Sequence, residues 1–182
     1  MVHYLENIIP IEDCEKITQL AMNLMCNHPY MVSVDAKGVP NSTGIRTDSI
    51  SECDIWLHTL KDKIEELVGF EVEPVNTYCR EYVNGAILER HTDRSDIGIT
   101  LTVTIENPTN IEWPICSKDY DGSTICKDIK VGDGLIIYDS HELEHWRDEL
   151  VCGKDEYVFM IFLHWQKKGV VREKPDNEEV NY

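Results

Sequence analysis

Residues 82–93, YVNGAILERHTD, carry the dipeptide Asn84-Gly85 between two runs that alternate apolar and polar side chains. Asn-Gly supplies the positive φ angles of a tight hairpin turn. The flanking segments 70–83, FEVEPVNTYCREYV, and 86–93, AILERHTD, are therefore expected to be strands joined as a hairpin. In the second run His91 and Asp93 stand two residues apart, and on a strand such residues project to the same face. That pairing is either a solvated polar strand face, the commoner case for an isolated H-x-D, or two thirds of a metal site.

Outward from this stretch the two-residue period persists. In IGITLTVTIE (97–106) Ile97, Ile99, Leu101, Val103 and Ile105 alternate with Thr100, Thr102 and Thr104. DGLIIYD (133–139) follows the turn Val131-Gly132-Asp133-Gly134, and EYVFMIFLHW (156–165) is nearly continuous, the mark of a central strand. Ahead of Gly69 the period is helical. Residues 11–26 align Ile11, Cys14, Ile17, Leu20, Ala21 and Leu24, and residues 49–68 align Ile50, Cys53, Trp56, Leu57, Leu60, Ile64 and Leu67. The irregular segment 33–49, SVDAKGVPNSTGIRTDS, lies between them, and long loops of this kind are often functional. The pattern predicts one mainly β domain with α: helical support over 1–69, an antiparallel sandwich or barrel over 70–166, and a charged tail over 167–182.

Composition narrows the function. The chain has 182 residues, with 34 acidic against 17 basic side chains and a net charge of -17. Binding a nucleic-acid backbone needs a basic patch, which this balance argues against. The expectation is no nucleic acid, no membrane span, and a soluble, cytoplasmic protein. Seven scattered cysteines without a CxxC fit reduced thiols; Cys116 and Cys126 are close enough in sequence to pair across a loop, but two small half-buried residues is the simpler reading. Oligomeric state is not legible.

A third ligand for His91 and Asp93 must come from the second half, where His141, His145 and His164 are available. Two histidines and one carboxylate with open coordination positions are the set of non-haem Fe(II) oxygenases. His3, His28 and His58 belong to no such constellation.

Residues 71–165 resemble the Fe(II)/2-oxoglutarate-dependent dioxygenases of the prolyl 4-hydroxylase type. The pattern Y-x-x-G-x-x-L-x-x-H-x-D is met by Tyr82, Gly85, Leu88, His91 and Asp93. The order Gly-Asp turn, strand, histidine, glycine, basic residue and last strand is met by VGDGLIIYDSHELEHWRDELVCGKDEYVFMIFLHW (131–165). HWRDEL and FLHW are similar to a branch with an H-W-R-E segment, which selects His145 over His141 as distal ligand and leaves His164 as a core or pocket-wall residue.

The resemblance implies a double-stranded β-helix (jelly roll, cupin-like) with N-terminal helices packed on one sheet. It implies Fe(II), 2-oxoglutarate and O2 as reactants, ascorbate as reductant, and His91, Asp93 and His145 as metal ligands. The far carboxylate of 2-oxoglutarate then needs a buried cation. Lys154, nine residues after His145, is the nearest match to the family's spacing, with Arg147 and Arg80 as alternatives. Tyr82 stands where a co-substrate tyrosine does, and Thr102 is a hydroxyl partner, no better placed by sequence than Thr100 or Thr104. Trp113 is expected at the barrel mouth. The implied substrate is a peptide or protein residue, foremost proline, with residues 33–49 closing over it. A free amino acid or small metabolite, or a non-catalytic binding module, are the alternatives.

Overall fold

Strict alternation makes the strand 99–106 the seam of the molecule. Ile99, Leu101, Val103 and Ile105 pack toward helices, while Thr100, Thr102 and Thr104 face a second sheet. The structure is a computed structural model that describes residues 2–35, 38–45 and 50–170. In chain order the elements are β1 (Val2–Leu5), α1 (Ile11–Asn27), β2 (Val32–Val34), β3 (Ser42–Ile45), α2 (Ser51–Thr59), α3 (Lys61–Val68), β4 (Val72–Val83), β5 (Leu88–His91), β6 (Ile99–Glu106), β7 (Ile115–Lys118), β8 (Thr124–Lys127), β9 (Gly134–Tyr138), β10 (His145–Arg147) and β11 (Tyr157–Lys167).

Among the described residues the strands form a seven-stranded sheet, β1-β9-β6-β11-β4-β3-β2, and a four-stranded sheet, β5-β10-β7-β8, with antiparallel neighbours throughout. This is the jelly roll expected from the resemblance. Strand β11 is central, paired with β6 on one side and β4 on the other. It buries Phe159, Ile161, Leu163 and Trp165 beneath the helices. Ile17 and Ala21 of α1, Cys53 and Leu57 of α2 and Ile64 of α3 complete this core. Each large side chain buried there contributes roughly 1.5–3 kcal/mol relative to exposure.

Four expectations are corrected. Strands β4 and β5 do not form a hairpin: β4 pairs with β11 and β3, and β5 pairs with β10. Asn84-Gly85 instead turns a corner between sheets, with Gly85 at φ 85° and its N–H donating to the Leu150 carbonyl. The turn chemistry was legible, but which sheet receives the outgoing strand depends on partners more than 50 residues away. The helix over 49–68 is two helices, because Leu60 at ψ -7° breaks the axis while staying buried. The helical support also contains strands: β1 and β2 edge the large sheet, and 42–45, within the segment read as irregular, is β3. Residues 36–37 and 46–49 of that segment, and 171–182 of the tail, lie outside the described residues. Lastly, Cys116 and Cys126 are joined by a disulfide, since they are cross-strand partners in the β7–β8 hairpin with Cα atoms 4.0 Å apart. Cys14, Cys26, Cys53, Cys79 and Cys152 are free thiols.

Among the described residues no helix is long and apolar enough to cross a membrane.

Candidate metal centre

Strands β5 and β10 are neighbours in the small sheet, and their register sets His91 opposite His145. The two imidazoles lie with centroids 4.3 Å apart. Asp93 follows β5 and is pinned by its N–H to the Ser140 carbonyl at 2.8 Å, just past the end of β9. The result is a cluster in which one ligand atom from each of His91, Asp93 and His145 lies within 4.8 Å of the others. Neither His141 nor His164 belongs to it.

The orientation of the three groups suits a cation. Nδ1 of His91 is 2.8 Å from the Glu89 carbonyl, and Nδ1 of His145 is 3.0 Å from the Leu143 carbonyl. A carbonyl only accepts, so each Nδ1 carries a proton and Nε2 is the ring nitrogen left to face a cation. Asp93 receives the Thr100 hydroxyl on Oδ2 at 2.5 Å, while Oδ1 points toward His145 Nε2 at 3.7 Å. Burial pushes the Asp93 carboxyl up, but His145, His164 and the Thr100 and Ser140 hydroxyls outweigh it and hold it below the usual carboxylate range. Burial depresses His145, and the neighbouring Asp93 does not compensate, so its imidazole stays neutral below the ordinary histidine range. His145 is thus biased toward the neutral imidazole and Asp93 toward the carboxylate, the forms a divalent metal requires of them. These residues fit Fe(II).

Behind the triad is a cavity of about 420 Å³ between the two sheets. Its wall from β4 is Asn76, Tyr78, Arg80 and Tyr82, every second residue of one strand face. Thr100 and Thr102 enter from β6, and Phe162 and His164 from β11. Arg80 is only 3 % exposed, and its Nη2 donates to the Tyr78 hydroxyl at 3.0 Å. The Tyr82 phenol is pushed up by burial, against the opposing pull of Arg80 and Arg147.

The structure separates the remaining sequence candidates. Tyr82 and Thr102 line the cavity with the triad. Lys154 does not: it is exposed in a turn at 154–155. The nine residues after His145 are taken up by a segment that runs out beside the 84–86 corner, where Leu150 exchanges backbone hydrogen bonds with Gly85 and Ala86. Arg147 is 1 % exposed, stacks on Trp113 at 4.7 Å and donates Nη1 to the Trp113 carbonyl, leaving Nε and Nη2 without hydrogen-bond partners. Burial lowers its pKa to about 10. Trp113 is not at the mouth. It is buried against the Tyr82 ring at 4.8 Å and donates Nε1–H to the Asp148 carbonyl. Sequence reasoning missed Tyr78, Asn76 and Ser140. The first two were legible as the i-2 positions stepping back along β4 from Arg80 and Tyr78, whereas Ser140 had no signal.

No protein-family model matches the chain, and no curated protein matches it. Solved structures do. A Pseudomonas putida prolyl-4-hydroxylase is 13% identical, with TM-score 0.67 over 91% of this chain and 92% of that one. A prolyl hydroxylase from Trichoplax adhaerens, in complex with a hypoxia inducible factor oxygen degradation domain peptide fragment, is 11% identical, with TM-score 0.70 over 91% and 83%. The non-heme alpha ketoglutarate dependent epimerase SnoN from nogalamycin biosynthesis is 9% identical, with TM-score 0.73 over 91% and 77%. The likeness to all three is one of fold: this chain has the jelly roll found in prolyl hydroxylases and other 2-oxoglutarate-dependent non-haem iron enzymes.

Proposed function

We propose that the protein is an Fe(II)- and 2-oxoglutarate-dependent oxygenase that hydroxylates a C–H bond of a peptidyl residue, foremost proline. The observation that carries the reading is the triad His91, Asp93 and His145, oriented by its hydrogen bonds at the edge of an open-mouthed cavity with a buried cation. Fe(II) held there would couple O2 to oxidative decarboxylation of 2-oxoglutarate, giving succinate, CO2 and the oxidising power for C–H hydroxylation.

The chain's own residues divide the remaining work. His91 and His145 would hold the ion through Nε2 and Asp93 through Oδ1, leaving the co-substrate and oxygen to be supplied from the cavity. Arg80, at the level of Met160 on β11, meets the far carboxylate of 2-oxoglutarate, supported by Tyr78, Tyr82 and Thr102. A ligand in the cavity touches the groups that line it, which favours Arg80 over Lys154. Arg147 is a second reading for the anchor, favoured by its two unpartnered buried nitrogens and its position two residues beyond His145 on the same strand. The apolar lining from Leu88, Ile97, Ile115 and Phe162 keeps bulk water from the reacting centre.

Fold likeness to a prolyl hydroxylase bound to a peptide supports a peptide or protein substrate. The net charge of -17 favours a basic segment. The test is to incubate the protein with Fe(II), ascorbate, 2-oxoglutarate and a host-cell peptide pool, reading succinate and peptide masses. Succinate with a gain of one oxygen on peptidyl residues supports the reading. Oxygen gained only by free amino acids or metabolites removes the peptidyl part, and no succinate under any condition removes the oxygenase in favour of a binding module.

A further inference from the structure

We propose that Thr100 and Ser140 are positioning residues that fix Asp93 as a one-oxygen ligand, and that the affinity of the site for a divalent metal depends on this pair of hydroxyls. The inference rests on the metal-site reading above and adds to it which residues set the binding mode of the carboxylate. Thr100 Oγ1 is 2.5 Å from Asp93 Oδ2, and Ser140 Oγ is 3.1 Å from Thr100 Oγ1. An ionised carboxylate only accepts, so the Thr100 proton is committed to Asp93 and the Thr100 oxygen is left to accept from Ser140. The Ser140 hydroxyl lies beside both the Thr100 oxygen and the carboxylate, so its proton is shared between them while the Thr100 proton serves Asp93.

Both hydroxyls are buried, at 3 % exposure for Thr100 and 0 % for Ser140, so no water competes for these positions. The backbone closes the arrangement, because the Asp93 N–H donates to the carbonyl of the same Ser140 at 2.8 Å. Three chain segments are thereby joined at one carboxylate: the end of β5, the strand β6 and the end of β9. Rotating the Asp93 carboxylate toward two-oxygen binding would strip Oδ2 of its donor in a dry interior, a costly change. Oδ1, the oxygen facing His145 Nε2, is the one left for a cation.

The experiment uses metal-free full-length protein: wild type, Thr100→Val, Thr100→Ser and Ser140→Ala. Thermal melts without metal report the fold, calorimetric titration reports Mn(II) affinity, and the visible absorption of added Co(II) reports coordination. Thr100→Val should weaken Mn(II) binding about ten- to hundredfold, the range for loss of an outer partner of a ligand, and should change the Co(II) spectrum. Thr100→Ser should restore most of both. Ser140→Ala should weaken binding by a smaller factor, and it decides the question if Thr100→Val does not fold. Unchanged Mn(II) affinity in Thr100→Val and Ser140→Ala overturns the inference, as does a Thr100→Ser variant as weak as Thr100→Val, which would make packing the cause. Wild-type protein that binds neither ion overturns the metal reading itself, and this inference with it.

Discussion

Replacing Arg80 by leucine tests the co-substrate pocket most directly. The guanidinium is 3 % exposed and reaches the Tyr78 hydroxyl at 3.0 Å, so it is held in place before any ligand enters. A charge-assisted hydrogen bond to a desolvated carboxylate is worth about 1.5–3 kcal/mol, which corresponds to roughly ten- to hundredfold in affinity. Arg80→Leu should raise the dissociation constant of 2-oxoglutarate by that factor in Mn(II)-loaded protein, and the KM for succinate production likewise. Tyr78→Phe removes one neutral support of the guanidinium and should cost about 0.5–1.5 kcal/mol. Lys154→Ala removes an exposed side chain outside the cavity and should change neither constant. Binding is followed by competition calorimetry, with a thermal melt of each variant to confirm folding. An Arg80→Leu protein that folds and binds 2-oxoglutarate within twofold of wild type would refute the assignment. A large effect at Arg147 instead moves the anchor to β10, and one at Lys154 restores the spacing argument from sequence.

Three further outcomes are expected. His145→Ala should abolish stoichiometric Mn(II) binding while His141→Ala retains it, because His141 faces Glu142 at 3.4 Å and lies outside the triad; calorimetry reads both. The folded His145 titrates below the ordinary value of 6.5, so the unfolded chain binds more protons once pH falls through that value, and the metal-free protein should lose stability as pH drops below about 6.5. Thermal melts across pH should show this slope in wild type and a shallower one in His145→Gln. Leu101→Ala, at a fully buried position beneath the helices, should destabilise by about 2–5 kcal/mol in denaturant titration, and a cost under about 1 kcal/mol would contradict the packing of β6 described above.

The sequence by itself determined what repeats locally. Alternation in 97–106 settled which face of β6 meets the helices, because side-chain period two is a property of any extended chain. Gly69 ended α3 in the left-handed conformation its lack of a Cβ permits, whereas β5 stops at His91, so Asp93 two residues on owes its place to its N–H bond to the Ser140 carbonyl rather than to strand alternation. What only the tertiary structure decided is whatever depends on the partner across a sheet. Strand β5 meets β10 rather than β4 because the chain crosses between sheets at Asn84-Gly85, and that choice alone brings His145 opposite His91. Cys116 meets Cys126 through the β7–β8 register, and Ser140 reaches Thr100 through the ends of two strands 40 residues apart in sequence. Lys154 has the right distance along the chain from His145 and the wrong place in space, since an excursion beside residues 84–86 consumes that distance, whereas Arg80 precedes the triad and still faces the same cavity. Sequence spacing fixes direction only within one strand; convergence of groups from β4, β5, β6 and β10 is set by register between strands, which no local pattern encodes.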